Sequence, residues 1–190
     1  MTVGGLFLTP GAGSSRDHPS LVALERALAP MPVERHDFPY RRAGKKAPDR
    51  APKAIADLVE AVPAFAARVG IDPGSVVLGG RSFGGRMCSM AVADGLPAAG
   101  LVLLSYPLHP PGRPANLRIE HLPQLEVPCL FLSGTRDPFG SPDEIEAHAA
   151  VIPGPVTHVW IDGAGHDLKR ADDRIVSEVL SWLGSLDPRG

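Results

Sequence analysis

The segment Gly80-Arg81-Ser82-Phe83-Gly84 follows the apolar run Val76–Gly79 and opens a helical pattern. A serine on so tight a strand-to-helix turn is pushed into a strained conformation that lifts its hydroxyl clear of the main chain. Neighbouring atoms crowd the positions two residues to either side, and Gly80 and Gly84 meet that demand. The following helix aims its positive end at the serine, favouring negative charge developing there. A phosphate cradle would need a lysine-serine ending, and the glycine spacing does not suit a dinucleotide loop.

A serine hydroxyl attacks a carbonyl carbon only when a base takes its proton, and that base needs an orienting group. Two later loops carry such residues: Gly134-Thr135-Arg136-Asp137 after the fifth apolar run and Gly163-Ala164-Gly165-His166 after the sixth. The expected catalytic set is Ser82 as nucleophile, His166 as base and Asp137 as the acid that holds the imidazole. Other histidines fit the role less well. His36 and His158 lie inside strands, His148 on a helix, His109 and His121 beside a proline-rich loop, and His18 at a helix start. Asp162 and Asp167 read as turn residues, and Asp143 and Glu144 as first-turn residues of a helix.

Acyl transfer places negative charge on the former carbonyl oxygen, and fixed N–H groups stabilise it. The residue after the nucleophile, Phe83, is one expected donor. The loop Thr9-Pro10-Gly11-Ala12-Gly13 leaves the first strand where a second is needed, from Gly11 or Ala12. Arg41, Arg42, Lys45, Lys46, Arg50 and Lys53 crowd residues 41–53 against the single acid Asp49. The first four could steer an anionic substrate by long-range attraction; the plainer reading is a solvated loop. With only Tyr40 beside it, the segment lacks the stacking platform of a nucleic-acid groove.

These residues need a scaffold that brings distant loops to one rim. Six apolar runs predict strands: Leu6–Thr9, Val33–Asp37, Val76–Gly79, Leu101–Leu104, Cys129–Ser133 and Val156–Ile161. The middle ones are continuously apolar, which suits strands covered on both faces. Helical spacing marks His18–Leu28, Pro52–Val69 with a kink expected at Pro63, Gly84–Ala93, Asp143–Val151 and Arg170–Leu183. Alternating strands and helices argue for a mostly parallel sheet with right-handed crossovers, whose loops at the carboxyl ends carry function.

The chain has 190 residues, 44% of them hydrophobic, with 19 basic and 21 acidic side chains for a formal charge of −2. This is a globular composition, and residues 1–190 read as one domain. The charge excludes a whole-molecule basic footprint for nucleic acid. Two cysteines, Cys88 and Cys129, make neither a disulfide framework nor a four-thiolate zinc site, and both read as small core residues. No apolar run is long enough to span a membrane, and the start lacks a basic leader, so the expected location is cytoplasmic.

Gly11–Gly13, the serine turn, Asp137 and His166, in this order along the chain, resemble the α/β-hydrolase superfamily over nearly the whole chain. Thr9–Ser15 with His18-Pro19, Asp37–Arg42 and Gly80–Arg86 look like one small subgroup of it. That subgroup includes bacterial hydrolases, a testis-expressed protein and a subunit of the non-specific-lethal histone acetyltransferase complex. The resemblance implies an α/β-hydrolase fold: a minimal, mostly parallel sheet of about six strands with helices on both faces and no cap domain. It implies a serine hydrolase acting on a small ester or thioester, without metal or organic cofactor. Two alternatives keep the same residues: an acyltransferase using another acceptor in place of water, and a non-catalytic binding or scaffold protein. Residues 105–128, between the fourth and fifth strands, leave little room for a lid, so an open, shallow site is expected.

Overall fold

The computed structural model describes residues 2–186; Met1 and residues 187–190 of the expected domain lie outside the described residues. Six strands form one sheet: β1 (Gly5–Thr9), β2 (Val33–Arg35), β3 (Val76–Arg81), β4 (Gly100–Leu104), β5 (Cys129–Gly134) and β6 (Val156–Ile161). Their order is β2-β1-β3-β4-β5-β6, and every pairing is parallel. The expected second strand is shorter than its apolar pattern suggested. Asp37 leaves the ladder, and its Oδ1 accepts the Arg16 N–H at 2.7 Å.

Successive strand residues face opposite sides, so the buried residues divide into two clusters. Phe7, Leu78, Leu101, Leu103 and Phe131 pack against α3 (Ala51–Val69) and α4 (Phe83–Ala93). Leu6, Leu8, Val102, Leu104 and Leu132 pack against α1 (Pro19–Leu28), together with residues of the last helix such as Ile175 and Val179. Burial on both faces is why the strands read as continuous apolar runs.

A short α2 (Pro39–Arg42), for which no helix is expected from the sequence, precedes α3 and overlaps the start of the basic segment. The long α3 runs unbroken through Pro63. The carbonyl that this proline leaves without an N–H partner belongs to Val59, which is 50% exposed, so water can serve it. Helix α5 (Pro142–Ala149) starts at a capping box in which Ser141 accepts from the Glu144 N–H and Glu144 accepts from the Ser141 N–H. Helix α6 (Asp172–Leu186) closes the described chain.

The chain runs from β1 outward to β2 and returns to place β3 on the other side of β1. Loops leaving β1 and β3 therefore diverge to opposite faces and open a crevice at their carboxyl ends. Between β4 and β5 the only regular structure is the short turn Leu122–Gln124, so no cap covers that crevice.

Candidate active site

Ser82 stands in the crevice at the junction of β3 and α4, with φ 46° and ψ −114°. This left-handed conformation is costly for a residue with a Cβ. The end of β1 presses against the turn. Thr9 Oγ donates to the Gly79 carbonyl at 3.0 Å. A Cβ on Gly80 would lie 2.2 Å from the Thr9 carbonyl oxygen, and one on Gly84 would lie 2.4 Å from Thr9 Oγ. Both glycines are required by close approach.

The three residues expected to act together meet. Ser82 Oγ lies 2.8 Å from His166 Nε2, and His166 Nδ1 lies 2.8 and 3.0 Å from the two Asp137 carboxylate oxygens. Ionised Asp137 can only accept, so Nδ1 carries the ring proton and Nε2 offers its lone pair to the serine hydroxyl. The Asp137 side chain is fully buried, whereas that of His166 is 23% exposed, as a base that must meet both substrate and water requires. Asp137 Oδ1 also accepts the Phe139 N–H at 2.9 Å, and the Phe139 ring stacks on the imidazole at 4.0 Å.

Loop-to-loop bonds hold the acid and histidine segments together. Arg136 N–H donates to the Ala164 carbonyl at 2.9 Å, and Gly163 N–H to Thr135 Oγ at 2.8 Å. Asp162 accepts from Thr135 Oγ across the two loops, whereas Asp167 accepts from the Lys169 N–H of its own turn.

Phe83 is the first residue of α4, so its N–H has no carbonyl within the helix to meet. Gly11 sits against the serine: a Cβ there would lie 3.7 Å from Ser82 Cβ. Tyr40 Oη donates to the Ala12 carbonyl at 2.8 Å and fixes the Gly11–Ala12 loop. The three expected donor residues thus surround Ser82.

The basic segment behaves differently. The Arg42 guanidinium bonds to Asp57 at 2.6 Å and to the Asp37 carbonyl at 2.6 Å, which occupies its charge away from Ser82. Arg41 is half-buried, and Lys45 and Lys46 are exposed. None of the four lines a hollow beside Ser82. Proximity of this segment to the crevice comes instead through Pro48.

His18, expected at a helix start near the serine, and Arg81, expected only as part of the serine turn, both line the site. Arg81, 7% exposed, donates to the His166 carbonyl at 3.0 Å and to His18 Nε2 at 2.7 Å. Because arginine can only donate, His18 Nε2 accepts from it and the ring is neutral, while Nδ1 lies 2.8 Å from Ser20 Oγ and 3.3 Å from the Ser20 N–H. Burial, with Arg81 beside it, holds the His18 pKa below its ordinary value. A charged residue closing a wholly buried strand was the available signal for Arg81. The two cysteines lie away from this chemistry; burial pushes both thiols up to about 12.

Two hollows flank the serine. One, about 490 Å³, is lined by Gly11, His18, Arg81 and His166; the other, about 250 Å³, by Ala12, Phe83 and Phe139. Among the described residues there is no cluster of side chains suited to hold a metal ion, and no helix long and apolar enough to cross a membrane.

Fold and site together define an α/β hydrolase. Residues 4–179 match the family model described as "Alpha/beta hydrolase domain", and the chain belongs to that family. A thermophilic esterase from Thermogutta terrifontis superposes with a TM-score of 0.72 at 20% identity, covering 97% of this chain and 91% of that one. A hydrolase of the alpha/beta superfamily from Xanthomonas campestris gives 0.71 at 22%, covering 97% and 99%. At these identities the likeness is one of fold. Among curated proteins, epoxide hydrolase A of Mycobacterium tuberculosis is 38% identical over 66 residues, 34% of this chain. The match spans only 20% of that relative.

Proposed function

We propose that the protein is a serine hydrolase that cleaves a small ester or thioester through an acyl-enzyme. The reading rests on the 2.8 Å contact between Ser82 Oγ and His166 Nε2, with Asp137 bonded to the opposite ring nitrogen. Ser82 Oγ attacks the carbonyl carbon while its proton passes to His166 Nε2. The resulting oxyanion is held by the N–H of Phe83 and one from Gly11 or Ala12, each such donor contributing about 3 kcal/mol. Collapse breaks the bond to the leaving group, which takes the proton from His166. Water then gives a proton to His166 and attacks the acyl carbon, releasing the acid and restoring Ser82. Asp137 keeps the ring in the working tautomer and stabilises the imidazolium. No step calls on a metal or organic cofactor. The motif resemblance supports placing the chain in the small lid-less subgroup named above.

A fluorophosphonate probe and a short-chain nitrophenyl ester test this reading. Wild-type protein should be labelled and should turn the ester over, and Ser82→Ala should lose both. Wild-type labelling or rate in that variant would refute it.

A further inference from the structure

The smaller hollow is lined by two arginines that form no ion pair among the described residues. Arg86, from the first turn of α4, and Arg118, from the β4–β5 connection, both line it beside Ser82. Four guanidiniums are matched with acids, Arg35 with Asp17 and Glu25, Arg42 with Asp57, Arg68 with Glu34 and Arg174 with Glu178, and none of these four lines the hollow. Among the described residues neither Arg86 nor Arg118 makes an ion pair. Arg86 Nε is buried without a hydrogen-bond partner, and the Arg118 side chain reaches only the Pro107 carbonyl at 3.4 Å. Each charge acts on its neighbours: Arg86 helps burial lower the pKa of Arg118 and of His121. Two like charges and a buried donor left unmet are unfavourable until an anion arrives.

The two hollows have different parts in the reaction. His166 must hand its proton to the leaving group, so the leaving group occupies the hollow that His166 lines. That leaves the other hollow for the acyl chain, and Phe83, Phe139 and Pro107 line it together with the two guanidiniums. A planar carboxylate is the anion that a guanidinium fork grips in two places at once.

Building on the serine-hydrolase reading, we propose that the acyl group ends in a second carboxylate, held by Arg86 and Arg118. The substrate is then a monoester or monothioester of a short dicarboxylic acid. Recognition of negative charge lies inside the acyl pocket, not on the basic loop.

Monomethyl glutarate and dimethyl glutarate test this, since they share acyl chain and leaving alcohol and differ only in the far-end charge. The monomethyl ester should have the higher kcat/KM by about tenfold or more, the scale of a charge-assisted hydrogen bond. Arg118→Met and Arg86→Met should shrink that ratio by a similar factor, and Arg118→Gln serves if either variant fails to fold. Equal rates, or a faster dimethyl ester, with turnover still dependent on Ser82, would overturn the proposal and leave the hydrolase reading intact. A second arm needs no chemistry: glutarate is titrated into the Ser82→Ala protein while the His121 ring is followed by NMR. Bound carboxylate should raise the His121 pKa, and Arg118→Met should abolish the rise. An unchanged His121 would sink the proposal even if the protein hydrolysed nothing, whereas loss of fluorophosphonate labelling in the wild type bears on the hydrolase reading alone.

Discussion

Arg81 holds the backbone carbonyl of His166 at 3.0 Å while its other terminal nitrogen lies 2.7 Å from His18 Nε2. The residue just before the nucleophile therefore ties down the loop that carries the candidate base. Three acids, Asp137, Asp167 and Asp172, stabilise the buried guanidinium from a distance.

Arg81 is a positioning residue, and Arg81→Lys should show it. Lysine cannot span both contacts with a fixed fork. The loss of one charge-assisted hydrogen bond, about 1.5–3 kcal/mol, should appear mainly in kcat, lowered roughly tenfold to hundredfold, with KM little changed. Steady-state kinetics on a neutral short-chain ester would check this. A rise in KM alone would show that Arg81 binds substrate instead.

Gly84→Ala should destabilise the fold by about 1–3 kcal/mol, because the new methyl group meets Thr9 Oγ and the Pro10 carbonyl. Gly13→Ala is the matched control: nothing lies within 4 Å of a Cβ there, so its stability should stay within about 0.5 kcal/mol of wild type. Urea unfolding of the two variants measures the difference. Equal stabilities would mean that β1 does not pack on the serine turn as described.

Stability should fall as the protein is acidified below pH 6.5. Burial and the nearby Arg86 lower His121 from 6.5 to about 4, and burial also lowers His18 and His158. A histidine kept neutral by folding binds fewer protons than the unfolded chain between its folded and unfolded pKa values. Its contribution is complete above 6.5 and is lost as pH falls towards the folded value, about 4 for His121. His121 Nε2 donates to Ser89 Oγ at 2.8 Å, since the serine proton is directed to the Arg86 carbonyl. His121→Gln keeps a donor without a titration, so thermal unfolding from pH 7 to 4.5 should show a shallower slope in that variant. An identical slope would remove His121 as a cause.

Much of this protein was legible along the chain because the signals are local. Apolar runs of strand length, helical spacing and the glycines around Ser82 are each determined by neighbours a few residues apart. They sufficed to predict six strands in a mostly parallel sheet and to single out Ser82, Asp137 and His166. Boundaries moved where side chains intervened: Pro142 joined α5 because Ser141 caps it, and Asp37 left β2 to meet Arg16.

What depends on distance through space was decided only by the fold. Six clustered cations in residues 41–53 suggested a steering surface, yet Arg42 is neutralised by Asp57, which α3 brings alongside. Arg86 and Arg118 stand 32 residues apart in sequence, with no spacing that pairs them, although both line one hollow beside Ser82. The amino-acid order determined which groups could do chemistry and which strands would carry them to a common edge, because backbone propensity and apolar periodicity are short-range. Tertiary structure alone decided which charges are cancelled and which remain open to a ligand, because that outcome depends on partners supplied by other elements.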